Sequence, residues 1–266
     1  MKHPTFLYGT AWKKAETTRL VKLALASGFT AIDTANQLIH YDEALVGEAL
    51  KGVPRDTLFL QTKFTSAGGQ DHRTPYDRSA DLTTQVNQSF ESSLKHLHTD
   101  YLDSYVLHGP HTRRGLIDAD WEVWAAMETL QRSGRARKIG VSNVSAEQLT
   151  QLLAKASVPP AYVQNRCYAV TGWDRETREI CRARGIVYQG FSLLTANADV
   201  LADPSLRTIA ERVDAGVAQL VFRFAQQVGM LPLTGTTDER HMKDDLACDR
   251  FTLTPDELRT IGDIGL

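Results

Sequence analysis

Short apolar runs alternate with amphipathic stretches along almost the whole chain. The runs at 6–9, 29–33, 58–63, 102–107, 138–141, 161–164, 186–191 and 230–233 are strand-sized, and turn or cap residues bound most of them. Between them, apolar residues recur at helical spacing. Leu20, Leu23 and Ala24 mark a helix over 17–26 that Ser27-Gly28 closes, and Leu45, Val46, Ala49 and Leu50 mark one over 43–50. Further helices are predicted over 81–97, 121–133, 174–184, 216–227 and 238–247. Another opens at Ser145, where Gln148 completes a capping box, and Gly185 is a C-cap for the helix before it.

Strands that alternate with helices imply parallel pairing and right-handed crossovers. A doubly wound open sheet requires a reversal of strand order. Eight βα units in 266 residues fit a closed (β/α)8 barrel better. No shift in composition marks a linker, so residues 1–266 are expected to form a single domain. The irregular stretches 66–78 and 109–118 follow strands, which puts both on the barrel's C-terminal face. Only residues 251–266 follow the helix at 238–247, a tail too short for a long closing loop, so the pocket is expected to be open and broad in acceptance.

Composition narrows the partners. A formal net charge of −2 argues against nucleic acid as the main partner. The leading segment Met1-Lys2-His3-Pro4-Thr5 carries no long apolar region, and no run is long enough to span a membrane. A cytoplasmic location is expected. Cys167, Cys181 and Cys248 are odd in number and lack CxxC spacing, so buried, idle thiols are expected rather than disulfides or zinc. No histidine pair has metal spacing, and no metal is expected.

Barrel enzymes build their sites at the C-terminal ends of the strands. Here those ends are Gly9-Thr10, Asp33, Lys63, His108, Ser142-Asn143, Gln164-Asn165, Phe191-Ser192 and Thr234-Gly235-Thr236-Thr237. Polar groups terminate nearly every strand and converge on one mouth. Asp33 beside Lys63 keeps the ammonium charged, and a charged lysine beside a phenol lowers the phenol's pKa toward the working range. Tyr41, just after the second strand, is the natural phenol. Such a tyrosine serves as a general acid, while His108 orients a substrate oxygen or donates to it.

The segments Gly9-Thr10-Ala11-Trp12, Asp33-Thr34-Ala35, Glu43-Ala44-Leu45-Val46-Gly47, Thr62-Lys63, Leu102-Asp103 through Leu107-His108, Ile139-Gly140-Val141-Ser142-Asn143 and Gln164-Asn165 together resemble the aldo-keto reductase superfamily over essentially the whole chain. The resemblance implies a (β/α)8 barrel that binds NADP(H) and reduces carbonyls with an Asp-Tyr-Lys-His tetrad. By motif that tetrad is Asp33, Tyr41, Lys63 and His108. The family places its tyrosine about five residues after the aspartate, where Leu38 stands here. Counting back from Glu43 instead lands on His40, so His40 remains the alternative acid.

The resemblance also distributes the cofactor. Ser142, Asn143 and Gln164 match the groups that bind the nicotinamide carboxamide, and Phe191 matches the ring that stacks on it. Gly9 and Thr10 belong to the first strand end. Ser192, Leu193 and residues 195–197 would line the pyrophosphate. Thr234, Gly235, Thr236 and Thr237 precede a helix N-terminus, a ready anion site for the 2′-phosphate end. Leu233 stands where relatives offer a lysine. Arg240 and His241 compete for the arginine position, and Asp245, next to Asp244, stands near the adenine. NADP(H) is favoured, with NAD(H) use open.

Other residues have plainer readings. Trp12 and Trp173 are candidates for the substrate wall, although packing explains either one equally well. Trp121 and Trp124 read as core, Tyr188 as barrel wall, and His96 and His98 as surface or helix-end partners. Loop residues His72 and His111 read as solvent-facing, and Arg132, Arg135, Arg137 and Lys138 as a solvated turn on the N-terminal face. The expected function is NAD(P)H-dependent reduction of a small carbonyl compound by a monomer. An NADP(H)-binding redox-sensing or regulatory barrel with slow turnover is the alternative, and an unrelated phosphate-handling barrel enzyme is a third reading.

Overall fold

The computed structural model describes residues 4–266, so Met1 to His3 of the leading segment lie outside the described residues. Eight strands close into a parallel barrel in chain order: β1 Leu7–Gly9, β2 Ala31–Asp33, β3 Phe59–Phe64, β4 Ser104–Leu107, β5 Ile139–Ser142, β6 Tyr162–Arg166, β7 Val187–Phe191 and β8 Met230–Thr234. β8 returns to β1 through Leu7↔Leu233, which removes every open edge. The outer helices are α1 Thr17–Ser27, α2 Glu43–Leu50, α3 Leu82–Leu97, α4 Asp118–Arg132, α5 Ala146–Lys155, α6 Arg175–Arg184, α7 Pro204–Arg212, α8 Val217–Gln227, α9 Glu239–Leu246 and α10 Pro255–Asp263. The expected (β/α)8 architecture is therefore the observed one.

Local chemistry sets several boundaries. Ser145 caps α5, and its side chain accepts from Gln148 N–H. α4 begins earlier than its apolar pattern suggested, because the Asp120 carboxylate accepts from the Ile117 and His111 backbone N–H groups. β4 starts only at Ser104, since Asp103 turns its carboxylate to Leu60 N–H, Arg55 and Arg137. Leu102 keeps a lone parallel bridge to Ala136. Gly47 lets α2 press on the end of α3, for a Cβ there would overlap the His96 carbonyl.

Two helices were not anticipated. α7 starts with Pro204 behind the capping side chain of Asp203, and α10 starts with Pro255 inside a Thr254–Glu257 capping box. The helix at 238–247 is thus not the last element. The basic turn is largely exposed, and within it Arg132, Arg135 and Arg137 pair with Glu128, Glu91 and Asp103. The three cysteines are buried and free.

The barrel interior is built in rungs, as strand alternation requires. At the bottom, Leu7, Ala31, Phe59, Tyr162 and Leu231 pack into an apolar plug. One rung higher the register places Asp33 beside Gln61 and Gln164 beside Gln189. The next inward positions are Lys63, which is fully buried, and Arg166 and Phe191, which line the cavity at the mouth.

Candidate active site

The second rung is a closed polar network. Lys63 is fully buried, and its ammonium donates to both Asp33 carboxylate oxygens at 2.7 Å and to the Thr34 carbonyl at 2.8 Å. Asp33 Oδ1 also accepts from Gln61 at 2.7 Å and from Gln164 at 3.1 Å. Gln61 and Gln189 exchange amide hydrogen bonds across the barrel. A buried ion pair persists only when its remaining polar capacity is satisfied in this way. Gln61 and Gln189 were not singled out in the sequence, although both are polar residues inside apolar strands, which is a legible signal.

Above this network stands a half-buried Tyr41. Lys63 Nζ is 5.3 Å from its ring centroid, and His108 meets it edge-on at 5.8 Å. His40 turns the other way and stacks on Trp12, with ring centroids 3.9 Å apart. Both His40 and Trp12 line the same cavity. Sequence reasoning expected Lys63 to lower the Tyr41 pKa. In this structure burial raises it, the Asp33 charge adds to the rise, and Arg166 opposes it. Burial outweighs any help from Lys63, whose ammonium is bound to Asp33 and Thr34. Burial also lowers Lys63 itself, against the pull of Asp33 and Glu43.

His108 Nδ1 lies 2.7 Å from the Thr65 hydroxyl. Burial pushes its pKa down to about 3, and the Lys63 and His40 charges act in the same direction. The imidazole is therefore neutral at ordinary pH. When Thr65 donates to Nδ1, the remaining nitrogen Nε2 carries the proton as a donor.

These groups share a cavity of about 930 Å³ that runs to the end of β8 and the start of α9. Gly9, Ser142, Asn143, Gln164, Phe191, Ser192, Leu193, Thr234, Gly235, Thr236, Arg240, His241 and Asp245 line it, together with Asp33, Tyr41, His108 and Trp12. Thr10 and Thr237 do not: the Thr10 hydroxyl is buried on the Asp33 carbonyl. Ser142 donates to the Gln164 carbonyl at 2.6 Å, and Asn143 donates to the His108 carbonyl at 2.8 Å. Trp12, Asn143 and Ser192 have left-handed backbone at φ 64°, 53° and 56°. That conformation is uncommon for Trp and Ser and concentrates at functional sites.

Trp173 needs correction as a substrate-wall residue. It is fully buried, its indole donates to the Ile261 carbonyl at 2.8 Å, and it packs on Phe224. Tyr188 is buried wall, donating to Asp174 at 2.7 Å. His111 is tied to Asp120 at 2.7 Å, and His96 reaches the buried Glu43 carboxylate at 3.2 Å, a bond that raises its pKa. The sequence reading missed Lys13, Arg166 and the α8 start at 216–219, all of which line the cavity. Lys13 donates to the Gly235 carbonyl, and burial lowers its pKa. Its place just past a barrel strand is the signal that could have found it.

At the far end, Asp245 accepts from the Thr234 hydroxyl at 2.8 Å. Burial raises its pKa to about 6, against the opposing pull of Thr234, Gln219 and His241. Arg240 is 89% exposed, with its side chain 3.8 Å from Asp244.

Comparison with known proteins agrees with this fold. The chain is 30% identical to the glyoxal reductase of Bacillus subtilis, over 92% of this chain and 82% of that protein. It is 29% identical to an NAD/NADP-dependent indole-3-acetaldehyde reductase of Schizosaccharomyces pombe, over 99% and 91%. An aldo/keto reductase crystal structure from Brucella melitensis superposes with a TM-score of 0.83 at 28% identity, covering 97% of this chain and 94% of that one. The aldo/keto reductase family model matches residues 5–265, and the chain belongs to that family of oxidoreductases.

Proposed function

We propose that this chain reduces an aldehyde or ketone to an alcohol with NADPH, and that Tyr41 is the proton donor. The observation that carries this reading is the stack of Asp33, Lys63, Tyr41 and His108 under one wall of the cavity. Bound nicotinamide supplies the hydride, two electrons delivered to the carbonyl carbon. Tyr41 gives its proton to the carbonyl oxygen, and solvent restores that proton afterwards. A phenol whose pKa burial holds high is fully protonated before the reaction, as an acid must be. Lys63, kept charged by Asp33, stabilises the phenolate that remains. Neutral His108 donates to the same oxygen and fixes the carbonyl against Tyr41.

The cavity has the donor set and shape for a nicotinamide nucleotide. Phe191 offers a flat face beside the Ser142, Asn143 and Gln164 polar groups. Arg240 and His241 would hold the 2′-phosphate, which favours NADPH, and Asp245 would face the adenine. NADH use remains compatible, since Arg240 reaches that site from solvent. The free buried thiols fit a reducing, cytoplasmic setting, and no described helix is long and apolar enough to cross a membrane.

The test is a titration of purified protein with NADPH and NADH, followed by turnover over a panel of activated aldehydes. Cofactor binding with turnover supports the reading. Tight cofactor binding with negligible turnover favours the regulatory barrel, and no cofactor binding at all favours an unrelated barrel enzyme.

A further inference from the structure

Arg166 ends β6, and strand alternation puts it on the same inward face as Gln164, two residues earlier. Gln164 is held below by Asp33 and Gln189, so the Arg166 side chain rises from that rung toward the mouth. Its guanidinium lies 5.4 Å from the centroid of the Phe191 ring. It lines the same cavity as Tyr41 and His108 and is exposed there. Among the described residues no carboxylate pairs with it.

The other charges of the cavity have partners or lie elsewhere. Asp33 is bound to Lys63, and Lys13 is bound to the Gly235 carbonyl. Arg240, Asp244 and Asp245 belong to the α9 end. Arg166 is thus the one unpaired cation at the Tyr41 end among the described residues, close enough for its charge to act on the phenol. A planar guanidinium with five donors matches a carboxylate bidentately.

The geometry points to carbonyl substrates that themselves carry a carboxylate, held by Arg166 while Tyr41 addresses the aldehyde or ketone oxygen. This substrate class rests on the reductase reading of the same cavity. It gives Arg166 a role in selection: the anion anchors the substrate, and the neutral analogue loses affinity.

The experiment compares 4-carboxybenzaldehyde with its neutral methyl ester, methyl 4-formylbenzoate, in wild type and Arg166→Gln. The expected wild-type KM is at least about tenfold lower for the carboxylate, the worth of a charge-assisted hydrogen bond. Arg166→Gln removes that preference by raising the KM of the carboxylate to that of the methyl ester, and leaves the NADPH KM unchanged. Added salt weakens the wild-type preference and does nothing to the mutant. Equal KM values for the two aldehydes in wild type overturn the proposal while the reductase reading stands. A rise in the NADPH KM of Arg166→Gln, with the substrate preference intact, reassigns Arg166 to the cofactor and also overturns it. If neither aldehyde turns over, the reductase reading fails. Titration of the NADP⁺-loaded protein with 4-carboxybenzyl alcohol then decides separately: binding lost in Arg166→Gln supports the anion site, and binding unchanged overturns it.

Discussion

The two ends of the cavity are built differently. At the Tyr41 end, Asp33 and Lys63 are almost wholly buried, and their charges are absorbed by named partners in the barrel. At the α9 end, Arg240 is 89% exposed and tied only loosely to Asp244. Burial makes the first end over-determined, because a buried polar group must find its partner or destabilise the fold. At the second end Arg240 is satisfied equally well by water, while Asp245 is buried there, on the Thr234 hydroxyl. The Tyr41 end should therefore respond to substitution in both chemistry and stability, and the exposed Arg240 of the α9 end in cofactor choice alone.

The largest effect is expected from Lys63→Met. It strands the Asp33 charge in the barrel, and unfolding free energy should fall by about 3–5 kcal/mol. The double variant Asp33→Asn with Lys63→Met should recover most of that stability, read by urea denaturation, while reductase activity stays lost. Full activity in the double variant would break the contrast between the ends.

Acid titration is the next test. His108 is neutral in the fold, with its pKa pushed down to about 3 from 6.5. The unfolded chain takes up a proton near 6.5 and the folded chain does not, so stability is present above that pH and is lost as pH falls from 6.5 toward 3. His108→Gln should flatten this part of the stability profile. For the same reason, kcat should show no His108 titration near neutrality.

Asp245 carries the opposite sign. Its pKa is raised from 3.8 to about 6, so the folded chain holds a proton that the unfolded chain has lost, and stability falls as pH rises through that window. Asp245→Asn should stabilise the protein at pH 8 by on the order of 1–3 kcal/mol and by little at pH 4, as thermal melts at both pH values would show. The smallest effect belongs to Arg240→Ala: a several-fold rise in the NADPH KM, an unchanged NADH KM and no measurable change in Tm.

The same contrast explains what could be read from the sequence. Rungs of alternating residues dictate where strand ends point, so Asp33, Lys63, His108, Gln164 and Phe191 could be assigned to one mouth from order alone. Trp173 could not. Its position depends on α10, whose Ile261 carbonyl receives the indole, and α10 was not anticipated. The signals for α10 are in the sequence, a Thr-Pro start with Glu257 three residues after Thr254, but a short stretch after the helix at 238–247 resembles a tail. The direction of the Tyr41 pKa was also out of reach. It turns on the burial of the phenol and on its distance from the Asp33 charge, which sequence order does not give.

The central claim is that Tyr41, rather than His40, supplies the proton. The most direct measurement is the single-turnover rate of NADPH oxidation with 4-nitrobenzaldehyde in Tyr41→Phe beside His40→Ala. The account predicts a fall of roughly 10²–10⁴ in Tyr41→Phe with NADPH affinity retained, and at most a modest change in His40→Ala. A Tyr41→Phe rate equal to wild type, with collapse in His40→Ala, would contradict it.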